Sequence, residues 1–159
     1  LVGLGVGYRF KVALYNGFQK LRGGRPLPVL DEGMIERGQP TPDEPLGLQP
    51  GDWVEIKSAE EIRATLNRDG FNRGMRFDIE MMRYCGGRYR VQLRVERLIN
   101  ERTGKMMQMK SSCIQLENVY CRAECSAMRL GCPRAINSYW REIWLRRAAE
   151  GQTSTNHAP

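Results

Sequence analysis

Five cysteines are the side chains of this 159-residue chain that could do chemistry: Cys85, Cys113, Cys121, Cys125 and Cys132. Four thiolates on loops and strand ends form the closed tetrahedral site that a structural zinc ion prefers. A bound Zn²⁺ would also stabilise a small domain whose core is modest. The sequence therefore predicts one structural metal site with four cysteine ligands. An iron–sulfur cluster held by the same sulfurs is the alternative.

The surroundings of these cysteines suit metal ligation. Cys85 precedes a Gly-Gly turn, which lets backbone amides approach a thiolate. Cys132 precedes a proline at the start of a predicted helix, whose dipole favours an anionic sulfur. Cys113 begins a predicted strand that leads to Cys121. Cys125 follows so closely that it could replace Cys121 as a ligand.

Two other interpretations of the cysteines remain open. Disulfides are disfavoured by the odd count and by the lack of a secretion signal. Unconnected thiols in the core are the third interpretation, because cysteine is among the most buried residue types. The spacing is weaker than a doubled C-x-x-C motif, since the only close pair is Cys121 and Cys125.

A second group of side chains could bind an anionic polymer. Aromatic residues of segment 139–147 follow helical spacing, and such a face usually packs against a core. The alternative interpretation is a stacking and cationic surface for nucleic acid or sugar, extended by the outward face of a strand. The candidate binding surface comprises Arg88, Arg90, Arg94, Arg141, Arg146 and Arg147.

No catalytic set stands out in the sequence. The only histidine, His157, lies in the polar tail, so no Ser–His–Asp arrangement is available. Three glycines near the start lack the spacing of a dinucleotide fingerprint. The carboxylates between positions 60 and 80 are expected to be helix caps and surface groups. An enzyme is therefore less favoured than a binding module.

Local patterns predict the elements that position these groups. Residues 8–21 recur at helical spacing, and the Pro-rich segment 25–50 is expected to be an extended arm that either wraps the domain or links it elsewhere. Residues 52–57 alternate as a half-buried strand, and Ser58 with Glu61 forms a capping box that opens a short helix.

The second half of the chain is predicted to be mainly strand. Residues 88–98 place Tyr, Val, Leu and Val on one side and arginines on the other. After a turn, residues 106–110 return as the partner strand, and residues 113–117 form a further strand. Residues 77–84 favour a helical turn, and residues 133–149 a C-terminal helix.

These elements indicate a mostly β fold with peripheral helices, of the α+β type. We expect a small SH3-like antiparallel barrel, because it closes a sheet with few residues, flanked by an N-terminal and a C-terminal helix. The expected organisation is an N-terminal helix and arm over 1–48, the cysteine-bearing barrel domain with its helix over 49–149, and a disordered tail over 150–159.

The net charge of +7 is unevenly distributed. Nine acidic residues lie between Asp31 and Glu61, whereas fourteen basic residues lie between Arg83 and Arg147. The basic half could attract a polyanion, or the acidic segment could fold over it and cancel much of the field. No apolar run approaches the roughly 20 residues that span a bilayer. With no secretion signal visible, a cytoplasmic location is expected.

Several motifs together resemble a family of uncharacterised bacterial proteins associated with gene neighbourhoods for surface polysaccharide and glycosyl transfer, and less often with secondary metabolism. They are Leu48-Gln49-Pro50-Gly51-Asp52-Trp53-Val54-Glu55-Ile56-Lys57-Ser58, then Cys85-Gly86-Gly87-x-Tyr89-Arg90-Val91, then Thr103-Gly104-Lys105-Met106, and Cys132-Pro133-Arg134 with Tyr139-Trp140-Arg141-Glu142-Ile143-Trp144-Leu145. The resemblance covers residues 48–147. It implies that Cys85, Cys113, Cys121 and Cys132 are the metal ligands and that Cys125 is an extra.

The function we expect is a non-enzymatic accessory or adaptor module with a structural four-cysteine metal site. The resemblance implies service in a bacterial polysaccharide-type biosynthetic pathway. A protein partner is expected, because the Pro-rich arm and the acidic–basic division suit association with another protein. The alternative is a nucleic-acid-binding module that uses the arginine-rich face.

Overall fold

The computed structural model of the protein describes residues 5–24, 26–100, 102–124 and 134–149. Over these ranges the fold is mostly β with a few helices, and its main sheet is antiparallel, which confirms the predicted class. The predicted tail over 150–159 lies outside the described residues. The strands are β1 (Trp53–Ile56), β2 (Phe71–Asn72), β3 (Met75–Arg76), β4 (Arg88–Ile99), β5 (Met106–Tyr120), β6 (Asn137–Trp140) and β7 (Leu145–Arg147).

The helices begin with α1 (Gly5–Arg22), which confirms the predicted N-terminal helix. The short helix α2 (Ala59–Arg63) opens with the predicted capping box. The Glu61 amide donates to the Ser58 hydroxyl over 3.2 Å, and the Ser58 amide donates to the Glu61 carboxylate over 2.9 Å. Two 3₁₀ helices follow, at Ile79–Tyr84 and Glu142–Trp144.

The main sheet has the strand order β6-β5-β4-β1-β7. Strands β4 and β5 form its long central ribbon, and β5 runs without interruption through residues 113–117, which were predicted to be a separate strand. The two edge strands, β6 and β7, are consecutive in the chain. Only residues 141–144 connect them. Because three of these residues form a 3₁₀ helix, the five residue steps from Trp140 to Leu145 cover about 14 Å. The edge strands of a flat five-stranded sheet would be roughly 19 Å apart, so this sheet must curl.

The predicted C-terminal helix is wrong for the residues that the structure describes, 134–149. This segment forms β6, a 3₁₀ turn and β7 instead. Every residue from Trp140 to Leu145 is buried, so the segment has no solvent-facing side for an amphipathic helix to present. Strand β6 pairs with β5 and β7 pairs with β1, so each part of the segment gains strand hydrogen bonds on one side.

The core lies against one face of this sheet and centres on three aromatic rings. The Phe77 ring meets Trp144 edge-on at 5.4 Å and Trp140 at 6.2 Å, and the two indoles are 6.4 Å apart. Leu48 of the arm and Ile62 of α2 are fully buried in the same cluster. The arm therefore belongs to the folded unit.

The Pro-rich arm contacts the rest of the domain at several points. Ile35 forms a parallel bridge with Asn67, and its amide donates to the Leu66 carbonyl over 3.0 Å. Further along, the Asn72 side-chain amide donates to the Pro42 carbonyl over 3.0 Å.

Acidic side chains of the arm pair with cations of the segment that follows it. The pairs are Asp31 with Arg63, Glu32 and Glu36 with Arg68, Asp43 with Arg73 and Glu44 with Lys57. The acidic segment thus folds back on neighbouring basic residues and cancels part of the local field. Of the helices within the described ranges, none is both long and apolar enough to cross a membrane.

Candidate functional site

Cys85 lies where the 3₁₀ helix Ile79–Tyr84 ends and β4 is about to begin. Gly86 follows with a φ of 76°, a left-handed conformation that glycine adopts without strain. The thiol lies 3.9 Å from the Met81 carbonyl and packs against the core. Burial raises the pKa of the Cys85 thiol to about 11. A metal-free Cys85 is therefore a protonated, unreactive thiol near neutral pH.

Cys121 lies at the same end of the sheet as Cys85. The Tyr84 hydroxyl donates to the Tyr120 carbonyl over 2.7 Å, which ties the residue before Cys85 to the residue before Cys121. The Cys121 amide then donates to the Ile136 carbonyl over 2.8 Å. The Tyr120 amide also donates to the Tyr84 hydroxyl over 3.4 Å, so two hydrogen bonds link the segments that carry Cys85 and Cys121.

Cys113 lies further along β5 and is fully buried. It pairs in register with Val95, and its sulfur is 3.9 Å from the guanidinium of Arg141. Cys113 thus lies beside Arg141, whereas Cys121 lies beside Ile136. Ile136 and Arg141 are five residues apart, which is roughly 16 Å in extended chain. Two thiolates on one zinc ion are only about 4 Å apart. The sheet therefore separates Cys113 from Cys121.

Cys132 and Cys125 lie outside the described residues. Among the described residues no three Cys, His, Asp or Glu side chains are grouped as a metal site would require. The four-cysteine site stays a prediction. Of its three expected ligands within the described residues, Cys85 and Cys121 lie at the same end of the sheet and Cys113 does not.

Arg141, expected on the binding surface, is buried instead. Its Nη1 donates to the Ser111 carbonyl and its Nη2 to the Arg73 carbonyl, each over 2.8 Å. Burial and these two internal acceptors remove Arg141 from any surface. Its guanidinium joins the β2–β3 turn to β5.

Arg94 also points inward, which the alternation of side chains along a regular strand does not predict. Register shifts in the β4–β5 pairing fall between Val91 and Leu93, so the alternation inverts there. Leu93 is consequently 48% exposed, whereas Arg94 is partly buried and its guanidinium pairs with the buried carboxylate of Glu142. Strand alternation predicted the reverse for both residues.

Glu142 is a structural residue that the sequence did not reveal. Its carboxylate is 4% exposed and accepts hydrogen bonds from the amides of Leu46 and Gly47 as well as from Arg94. One buried anion therefore joins the arm, β4 and the 3₁₀ turn between the edge strands. The only available signal was a glutamate flanked by aromatic residues in segment 139–147.

The remaining candidate arginines lie at the surface and contact their own chain. Arg147 pairs with Asp52 over 3.0 Å and donates to the Leu46 carbonyl over 2.9 Å, and Arg146 pairs with Glu61. Arg90 donates to the Gly51 carbonyl over 3.2 Å. Arg88 lies opposite Glu55 in the β1–β4 register. The six arginines do not form one continuous cationic face.

A cavity of about 420 Å³ opens beside Cys121. Arg76, Asp78 and Glu80 line one wall, and Asn137 and Tyr139 of β6 line another. Glu80 is almost fully buried. Charges of both signs and a tyrosine hydroxyl could hold a small polar molecule. No histidine lies among the described residues, so these walls offer carboxylates without an imidazole base.

The β4–β5 ribbon projects beyond the rest of the sheet. Strand β1 pairs only with residues 88–90 of β4, and β6 pairs with residues 114–120 of β5. Residues 97–99 and 106–108 have only each other as strand neighbours within the described chain, and we call these two segments the hairpin tip. Ile99 and Met106 face each other across the ribbon at 61% and 60% exposure, and Met107 is 43% exposed.

The exposed apolar groups of the hairpin tip are what the sequence interpretation missed. Three methionines within four positions, Met106, Met107 and Met109, followed a predicted turn and could have marked it. Methionine is adaptable in shape and common at promiscuous binding surfaces. A comparison with protein-family models and with curated proteins finds no match to this chain.

Proposed function

We propose that this protein is a non-enzymatic accessory or adaptor module that docks a protein partner through the hairpin tip. One observation carries the proposal: a two-stranded ribbon extends past its sheet with Ile99, Met106 and Met107 exposed. An exposed apolar ribbon of this kind gains stability when a partner covers it. Strand pairing already orders the backbone of the tip before binding, so docking has to order only its side chains.

The partner should offer an apolar pocket with an acidic rim. Basic side chains flank the apolar tip, and four of them, Arg97, Arg102, Lys105 and Lys110, lie between positions 96 and 110 against two glutamates. Charges at the rim guide encounter and select the partner, while the apolar centre supplies most of the affinity.

We further propose that the sheet closes into an SH3-like barrel. Its two edge strands are consecutive in the chain and are linked by residues 141–144, which include the 3₁₀ helix Glu142–Trp144, and the rings of Trp140 and Trp144 meet edge-on. Closure of this kind protects the edges of a small sheet. The projecting tip is then a recognition element on a compact base.

The pathway proposed for the module is bacterial polysaccharide-type biosynthesis in the cytoplasm. It rests on the resemblance of the Gly51–Ser58, Cys85–Val91 and Cys132–Leu145 motifs to the bacterial family described above. An accessory module needs no acid–base pair, which suits a chain whose only histidine is His157 in the tail.

A nucleic-acid-binding role is the second candidate, and the arginine contacts weaken it. Arg141 is buried, and Arg94, Arg146 and Arg147 are engaged by carboxylates of the same chain. Phosphate contacts would have to displace these internal acceptors. An affinity for nucleic acid that falls steeply with salt would favour this candidate, because phosphate contacts release counterions.

The metal centre is proposed as a structural zinc site that uses Cys85 and Cys121 but not Cys113. Elemental analysis of untagged protein purified without oxygen should find about one zinc per chain. Because the sheet holds Cys113 away from the other two described cysteines, Cys113→Ser should keep that metal. Cys85→Ser should lose most of it. A metal-free parent protein, or metal loss in Cys113→Ser, would contradict the proposal.

The docking proposal predicts that a hairpin variant loses its partner while remaining folded. In Ile99→Asn/Met106→Asn, affinity for a partner isolated with the parent protein should fall at least about a hundredfold, because the apolar centre of the contact is removed. Binding should be measured with purified components by calorimetry. Both side chains are already exposed, so the urea midpoint should hardly change.

The matched control is a second pair of exposed apolar residues away from the ribbon. Leu14→Asn/Phe18→Asn on α1 removes a comparable apolar area and should leave partner affinity unchanged. Equal loss in both variants, or no loss in the hairpin variant, would overturn docking through the hairpin tip.

A further inference from the structure

Helix α1 presents two opposite faces, and only one of them contacts the described part of the protein. Asn16 exchanges two hydrogen bonds with Leu27 of the arm: its side-chain amide donates to the Leu27 carbonyl over 2.8 Å, and the Leu27 amide donates back over 2.7 Å. Val12, one turn earlier on the same side, is 5% exposed. At 3.6 residues per turn, these positions define the face that attaches α1 to the arm.

The opposite face of α1 is apolar and uncovered within the described structure. Phe10, Leu14, Phe18 and Leu21 recur every three or four residues, and we call them the apolar face of α1. Their exposed fractions are 69%, 69%, 52% and 89%. Gly17 lies on the same face, and a side chain at this position would have no other described atom within 4 Å of its Cβ. Exposed leucines and phenylalanines in one stripe mark a binding surface.

The charges of α1 indicate what covers this face. The helix contains four basic residues and no acidic one. Lys11 and Arg22 border one side of the apolar face and Lys20 borders the other, and the Arg22 guanidinium lies over the Phe18 ring at 5.4 Å. A basic helix with an apolar face suits the headgroup region of an anionic bilayer.

A second copy of this chain is a poorer fit for the same face. Pairing two copies of α1 would bring their lysines and arginines together along both borders, with no acidic side chain in either helix to neutralise them. The whole chain, at +7, would add to the repulsion. Anionic lipid headgroups supply the missing negative charge.

We infer that the apolar face of α1 binds in the plane of an anionic lipid surface, with Phe10, Leu14, Phe18 and Leu21 inserted and Lys11, Lys20 and Arg22 among the headgroups. The arm then holds the sheet on the side of the helix that faces water. This surface is separate from the hairpin tip, so the protein could hold a partner at a membrane.

The test is flotation of the full chain with vesicles of phosphatidylcholine alone or with about 30% phosphatidylglycerol, a composition chosen to give a strongly anionic surface. The parent protein should float with the anionic vesicles and should be released by high salt. Leu14→Asn/Phe18→Asn should lose about tenfold or more of this binding, because the inserted side chains are gone. Lys11→Gln/Lys20→Gln should also lose about tenfold.

A gain-of-function variant keeps the inference testable if the loss variants destabilise α1. Gly17→Leu adds an apolar side chain to the face without a clash and should raise anionic binding roughly tenfold. Gly17→Ala raises helix propensity with little added area and should have a much smaller effect. The control Ile99→Asn/Met106→Asn should bind vesicles like the parent.

Three outcomes would overturn the inference. One is the absence of binding to anionic vesicles. Another is binding that Leu14→Asn/Phe18→Asn leaves unchanged. The third is light scattering that shows a dimer lost in Leu14→Asn/Phe18→Asn, which would assign the face to a second copy. Loss of the partner in the hairpin variant, with vesicle binding intact, bears on the proposed function alone.

Discussion

Replacing Glu142 by glutamine should lower the free energy of unfolding by about 3 kcal/mol, within the range found when a buried ion pair loses one partner. The carboxylate accepts from two arm amides, those of Leu46 and Gly47, and pairs with Arg94. Glutamine keeps the shape but leaves the Arg94 guanidinium without its buried anion. Guanidinium denaturation followed by tryptophan fluorescence measures the loss.

The matched control is Glu96→Gln, which removes the other carboxylate near Arg94. Glu96 lies 3.4 Å from Arg94 but is 61% exposed, so its removal should cost less than about 0.5 kcal/mol. Proteolysis of Glu142→Gln should cut first in the arm near Leu46, since that contact is released. Equal costs for the two glutamine variants would refute the role given to Glu142.

The largest loss of stability is expected for Trp144→Ala, at about 4 kcal/mol. The Trp144 indole is fully buried, meets the Phe77 ring at 5.4 Å and donates from Nε1 to the Thr65 hydroxyl over 3.0 Å. It also lies in the connection between the two edge strands, so a cavity there weakens both sheet edges. Thermal or chemical unfolding, followed by circular dichroism, measures the change.

Two further variants separate packing from hydrogen bonding at Trp144. Trp144→Phe keeps most of the packing and loses the N–H, so it should cost roughly a third as much as Trp144→Ala. Trp53→Ala, at a partly exposed tryptophan of β1, should cost clearly less than Trp144→Ala. A Trp144→Ala protein as stable as Trp53→Ala would contradict the proposed core.

Local patterns predicted the elements whose stability is decided nearby in sequence. The Ser58–Glu61 capping box is complete within four residues, and β1 and the start of β4 alternate over a few positions. Helix α1 also follows from its own spacing, because little of the described protein covers it. In these cases the nearest neighbours in sequence set the structure, and the predictions are confirmed.

The C-terminal segment could not be predicted in this way, because its structure depends on distant strands. Tyr139, Trp140 and Trp144 fit helical spacing, yet β5 and β1 offer backbone partners on either side of the segment. Residues 140–145 are all buried, so their apolar side chains would be covered in a helix and in a strand alike. Their spacing therefore does not distinguish the two structures. Tertiary pairing therefore overrode the helical period.

The candidate binding residues failed for a related reason. A bulge in β4 exchanges the sides of the sheet on which Leu93 and Arg94 lie. The alternation of apolar and polar residues gives no sign of where a bulge will occur. Arg141 is buried because two backbone carbonyls from separate parts of the chain accept its hydrogen bonds. The separation of Cys113 from Cys121 likewise follows from their different neighbours, Arg141 and Ile136, which the sequence alone does not identify.

The hairpin tip is best tested by crosslinking from a defined position. A photoreactive phenylalanine analogue at Met106 should capture one protein partner in the native host. The same analogue at Lys20 of α1 should not capture that protein, which distinguishes specific contact at the hairpin tip from non-specific crosslinking. The account predicts that the Met106 crosslink disappears when Ile99→Asn is added. A crosslink that survives Ile99→Asn, or equal capture from both positions, would contradict docking through the hairpin tip.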